Sequence, residues 1–389
     1  MTRPRIKRRG GIGRLAEQLV WLASGLAESG SRVEDRYWEK RLAASIDSTL
    51  QSEDENTLNA ALDQLFANDT PGYDELADMI ESRTESVAGL AEDHDVLLIA
   101  APVLAWSRFR IPATTLPPAV LTNLRVHLQA HVLADGARLA LADFLFSPDQ
   151  LPQGYCATAD FGRTMCRASL DGQDVHIETN GLPETSQFLS DTRYLLAAVA
   201  APKGNALFRW QELDGSREHA LSQWRAQGGA CLAPLLPGCT LEFVLPEAYF
   251  AACRAADKAS RPYSIRASVA FLGTALDAPA TSLRAVIAPF SDNQVEEYRI
   301  GFTLSGRDEV VHGVVWPLLG DEGDAVDTPS EIETVLRECG VTDVLIHEHR
   351  FPLEYCDDCG APMYPSPEGE VAHAEMPETH TEQVPRHLH

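Results

Sequence analysis

Leu15, Leu19, Leu22 and Leu26 recur at spacings of three and four, the period that lays one apolar stripe along a helix. The next segments follow the same pattern. Ser31 with Glu34 three positions on is a capping-box signature, opening a helix expected to present Val33, Tyr37, Leu42 and Ile46 on or near one face. Residues 53–66 carry the stripe Leu58, Leu62 and Leu65, and Thr70-Pro71 opens a fourth helix with Tyr73, Leu76, Ala77 and Ile80. Proline suits a first turn because its missing N–H would find no intrahelical partner there. Residues 15–93 are therefore expected to form a helical domain, preceded by a basic flexible arm at 1–14.

From Asp95 the pattern changes. Residues 96–101 are a continuous apolar run of strand length, and the reading is a strand over 96–104, a helix over 117–133 and a strand over 137–146. Similar punctuation recurs. Pro102, Pro234 and Pro317 each open a short apolar triplet, and Pro117, Pro246 and Pro329 follow as helix starts. The second unit is expected to end in a strand at Phe271-Leu272, and the third in a strand running into His349. An echo of Ala198 to Pro202 in Ala285 to Pro289 adds to the case for duplication. The fold class expected is α+β: the helical N-terminal domain, then an α/β-alternating body over 94–349 of two or three strand–helix–strand units with mixed sheets. A small hairpin-like CxxC appendage at 350–377 and a disordered tail at 378–389 complete the chain.

Charge narrows the partners. The net charge is -25, yet Arg3, Arg5, Lys7, Arg8, Arg9 and Arg14 open the chain with no acid among them. Setting those six aside from 32 bases leaves 26 against 57 acids. So acidic a body repels phosphate, which excludes a general nucleic-acid platform and leaves only the basic arm for such contacts. The 16 acids and 5 bases of residues 31–93 read as a solvated outer face of the helices. Glu17 and Gln18 interrupt what would otherwise resemble the apolar core of an export signal, so the expected location is cytoplasmic. No apolar run reaches eighteen residues, so no membrane partner is expected, and a protein partner remains the plausible one.

Eight cysteines are scattered along the chain, and only Cys356 and Cys359 are close enough to suggest chemistry. The sequence Cys356-Asp357-Asp358-Cys359-Gly360 has the shape of a zinc knuckle: two thiolates three positions apart can grip one ion. The second CxxC of a zinc ribbon is missing. His347 and His349, two apart on an expected strand, point to the same face and are taken as the other ligands of a structural zinc site. His373, on the second arm of the hairpin turned by residues 365–369, is the competing ligand. Asp357 and Asp358 are expected to disfavour thiolate, which argues against a redox pair. No complete catalytic signature is present, so no catalytic residue is assigned.

The segments SGSRVEDRYWEKRL, ELADMIES and EYCDDCGAPMYPSPEGEVAHAEMPE resemble a family of uncharacterised proteobacterial proteins, a domain-of-unknown-function family. That resemblance implies a bacterial cytoplasmic protein and supplies no activity. Two readings follow. One is a non-enzymatic binding or scaffold protein with a zinc-clipped tail. The other is an enzyme of unrecognised type with a pocket between its α+β units, which convergence of Asp143, His176 and Glu178 in one cleft would favour.

Overall fold

The computed structural model describes residues 13–87, 92–107, 109–185, 189–320 and 327–376. The expected basic arm lies outside them up to Ile12, and the expected tail at 378–389 lies outside them altogether. Helices α1 (Arg14–Ala27), α2 (Arg32–Gln51), α3 (Glu55–Asn68) and α4 (Thr70–Ser86) come first, with no strand before His94 among the described residues. Ser31 caps α2 by accepting the Glu34 amide, while Glu34 reaches back to the Gly30 amide. The four helices share a core through Leu19, Leu42, Ile46, Leu58, Leu65, Leu76 and Ile80. Val33 and Tyr37 do not join it; they are 76% and 51% exposed. At about 100° per residue they lie about 180° around α2 from Leu42 and Ile46, so one face could not hold all four.

The body begins with β1 (His94–Trp106), β2 (Thr114–Thr115), α5 (Pro118–His131), β3 (Arg138–Phe146), α6 (Gly154–Asp171), β4 (Ser190–Pro202), α7 (Arg217–Leu232), β5 (Thr240–Phe243) and β6 (Glu247–Ala248). The strands form one sheet in the order β2-β3-β4-β1-β5, with every neighbouring pair antiparallel. Helices cover both faces, which is why β1 and β4 read as unbroken apolar runs. Ile99, Ala101 and Val103 of β1 pack with Leu124 of α5 and Trp224 of α7. Val96, Leu98 and Ala100 point the other way, to Met165 of α6 and to Tyr249, Ala252 and Ala256 of α8 (Tyr249–Ala275).

Helix α8 joins this sheet to a second. Its 27 residues span about 40 Å. The first half completes the layer beside α6, and the second half inserts Ile265, Val269, Phe271 and Leu272 beneath the next sheet. Pro262 lies between the two halves. Here the sequence reading needs correction: Phe271 and Leu272 belong to this helix and not to a strand. The spacing of Ile265, Val269 and Leu272 is helical, and each packs on one side. Residues 230–272 therefore run from a helix end through short strands into a helix. Strand–helix–strand order belongs to 94–146 and to 312–346.

The second sheet contains β7 (Leu283–Ser291), β8 (Val295–Leu304), β9 (His312–Pro317), β10 (Asp343–Ile346) and β11 (Phe351–Pro352), with α9 (Thr328–Glu338) crossing between β9 and β10. Its order is β10-β7-β8-β9, and it is mixed because β10 and β11 run parallel to β7. One face rests on α8 and α9 through Ile287, Ile300, Phe302 and Trp316. The other receives the C-terminal hairpin β12 (Tyr364–Pro365) and β13 (Val371–Ala372). No helix among the described residues is long and apolar enough to cross a membrane.

Candidate metal centre

Two glycines prepare the floor. Gly301 of β8 and Gly313 of β9 are direct cross-strand partners. A Cβ on Gly313 would run into the Tyr364 ring, and one on Gly301 into the Pro365 carbonyl, both nearer than the 3.0 Å that real Cβ atoms respect. Strand β12 therefore lies directly on backbone. A residue with any side chain at either position would hold the hairpin off the sheet.

Arg299 pins the loop above that floor. It is fully buried, and its Nη1 donates to the carbonyls of Glu354 and Met363, both at 2.7 Å. Those carbonyls flank the CxxC loop on either side. Nε donates to Glu297 at 2.6 Å, and the guanidinium lies over the rings of Phe290 and Tyr355. Inside the pinch, the Cys356 amide donates to the Ala361 carbonyl at 2.7 Å, and the Gly360 amide returns to the Cys356 carbonyl at 2.8 Å. Gly360 turns the chain at φ +72°, a conformation that L side chains rarely adopt.

The hairpin then carries His373 back to the loop. Among the described residues, Cys356, Cys359 and His373 form the group of ligand-type side chains whose donor atoms all lie within 4.8 Å of one another. The Cys359 Sγ to His373 Nε2 distance is 3.2 Å. A tetrahedral zinc ion at ordinary bond lengths sets sulfur and imidazole nitrogen about 3.6 Å apart and two sulfurs about 3.8 Å apart. The side chains therefore sit within a few tenths of an ångström to an ångström of a metal-holding arrangement, and the cluster can hold a metal ion. On its far side His373 Nδ1 is 3.5 Å from the Glu375 carboxylate, the outer partner that orients a ligating imidazole. The amides of Cys359 and Asp358 donate toward the Cys356 sulfur, and the Cys359 thiol adds to them. Together they hold the Cys356 thiol below its ordinary value. The neighbouring aspartates were expected to oppose thiolate. Asp358 does act in that direction, but the amides outweigh it.

The two cysteines taken as ligands from the sequence are thus brought together, and the histidine they meet is His373. His347 and His349 are placed elsewhere. His347 Nε2 is 2.9 Å from the Ser366 carbonyl, the His349 ring lies tilted against Phe351 with ring centroids 4.3 Å apart, and both rings face Gly369. They brace the turn of the hairpin. The two rings do share one side, as their spacing predicts, with centroids 5.2 Å apart, but that side faces Gly369 and not the cysteines; regular strand β10 has already ended at Ile346.

Asp143 and His176 do pair, with Nδ1 to Oδ2 at 2.7 Å, and Glu178 lies 3.9 Å beyond. The His176 side chain is 70% exposed, so this is a surface pair; Asp143, by hydrogen bond and by charge, raises the imidazole pKa.

Sequence reasoning missed the roles of Arg299, Gly301 and Gly313. Two glycines inside apolar strands were the available signal for a close backbone approach.

Fold and site together define an α+β protein whose C-terminal segment, a CxxC loop and a hairpin laid on a mixed sheet, carries a Cys-Cys-His cluster able to hold a metal ion. The chain belongs to the DUF2863 family, described as proteins of unknown function, whose profile matches residues 4–387. No curated protein and no solved structure matches it.

Proposed function

We propose that this is a cytoplasmic binding protein that folds its C-terminal segment around one zinc ion. The observation that carries the reading is the clustering of Cys356, Cys359 and His373, whose donor atoms all lie within 4.8 Å of one another. Two thiolates and an imidazole favour zinc among the common cellular ions, since oxygen-seeking magnesium and calcium avoid such donors. Eight free cysteines suit a reducing compartment. The segment after Pro352 has little core of its own, and Tyr364 and Ala374 are its main buried anchors. A bound ion would add what so small a unit lacks.

The test is elemental analysis of the full chain purified without chelator. About one zinc per chain is expected, falling to background in Cys356→Ser and in His373→Ala but retained in His347→Ala and His349→Ala. Metal that is absent from the wild-type chain, or that survives Cys356→Ser, would overturn the reading.

A further inference from the structure

The three ligands differ in what surrounds them. Cys359 is exposed, and its side of the loop borders a cavity of about 420 Å³. The loop residues Gly360, Ala361 and Pro362 form one wall of that cavity. Ser264 and Ser268 of α8 and His312 to Val315 of β9, the edge strand of the second sheet, also line it. The polar groups there are already organised: His312 Nε2 is 3.0 Å from the Ser268 hydroxyl, and the Ser264 hydroxyl is 3.3 Å from that of Ser190.

Resting on the metal reading above, we propose that the ion held by Cys356, Cys359 and His373 keeps one coordination position open toward this cavity. There it takes the oxygen of a small uncharged molecule, an alcohol or a carbonyl compound with an apolar body. The described residues supply three ligands, the set that leaves a tetrahedral ion room for an outside donor, whereas closed structural sites use four. The lining selects the class of that donor. Two thiolates already neutralise a divalent ion, and among the described residues no lysine or arginine lines the cavity, so a carboxylate would enter with no cation to meet it. Leu189, Val314, Val315 and Pro362 supply apolar wall, and the serines with His312 supply hydrogen bonds to a hydroxyl or carbonyl head. The geometry accounts for a binding site and calls for no reaction.

The experiment uses the full chain with cobalt(II) in place of zinc, so that the visible spectrum reports the ion's ligands. X-ray absorption on the zinc form accompanies it. The expected results are two sulfurs, one imidazole nitrogen and one oxygen around zinc, and a saturable spectral change on adding azide. Hexanol should produce its own saturable change, and hexanoate should need at least tenfold higher concentration. His312→Phe should weaken the hexanol response several-fold while leaving cobalt affinity and the starting spectrum unchanged. Two imidazoles at zinc, or a cobalt spectrum that neither azide nor hexanol alters, would mean a closed structural site and overturn this inference while the metal reading stands. A stronger response to hexanoate than to hexanol would overturn the ligand class. A chain that binds no cobalt at its cysteines would remove the metal reading itself.

Discussion

The aromatic ring of Tyr364 lies directly against the backbone of Gly313, in the space that a β-carbon at that position would occupy. This contact sets how closely the hairpin that carries His373 can approach the sheet. Gly313→Ala is expected to displace the ring, costing about 1–3 kcal/mol as overpacking does. Thermal unfolding should show that loss. Metal affinity should fall with it, because Tyr364 begins the arm whose return leg carries His373. Unchanged melting and unchanged zinc content would show that the hairpin does not need this approach.

Replacing Arg299 should be more costly. Arg299→Met removes the donor to both carbonyls that pinch the CxxC loop and leaves Glu297 without its partner. Breaking one side of a buried pair costs about 3–5 kcal/mol. Arg299→Lys should rescue little, since one ammonium cannot reproduce the planar fork that reaches Glu297 and two carbonyls. Limited proteolysis should then cut within 353–376 while the first sheet and its helices stay intact. Full rescue by lysine would refute the fork argument.

The contact between α4 and α8 should respond to pH. Burial raises the Glu85 carboxyl from an ordinary value near 4.5 to about 7, and its acceptance of the Phe250 amide only partly opposes this. Glu81 adds repulsion, and Arg254, itself paired with Glu81, offsets some of it. An acid with a raised folded-state pKa holds its proton more tightly when folded. Its cost to stability is therefore absent below about pH 4.5, grows between about 4.5 and 7, and is complete above. Glu85→Gln keeps an acceptor for the Phe250 amide without a charge. It should raise the melting temperature at pH 8 and leave it nearly unchanged at pH 4. Equal effects at both values would exclude Glu85 as the source.

Thiol labelling should rank the cysteines. In chelator-treated protein at pH 8, a small alkylating reagent is expected to reach exposed Cys359 first. Cys166 should react last, since it is fully buried and burial pushes its thiol up to about 12. Restoring zinc should protect Cys356 and Cys359 alone. Mass spectrometry of the peptides would show this, and rapid labelling of Cys166 in the folded chain would contradict the packing of α6 on the first sheet.

What the sequence determined by itself was largely local. Helix stripes, the Ser31 cap, the turn from helices to strands after Asp95 and the CxxC loop depend on residues a few positions apart, where spacing and capping chemistry act directly. The same local view failed wherever a segment's role depended on distant partners. Phe271 and Leu272 read as a strand end because an apolar pair in alanine-rich sequence carries little period, and only two sheets meeting on α8 decide the matter. The third member of the Cys-Cys-His cluster was decided by the hairpin. Pairing of Tyr364 with Ala372 places His373 beside the cysteines, while β10 ends before His347 and His349 and leaves them at the turn. Arg299 and the glycine pair acquire their roles from contacts about 50 or more positions along the chain, with the hairpin they support. Spacing along the chain encodes periodicity, but convergence of side chains is set by which strands pair and how closely their backbones can approach.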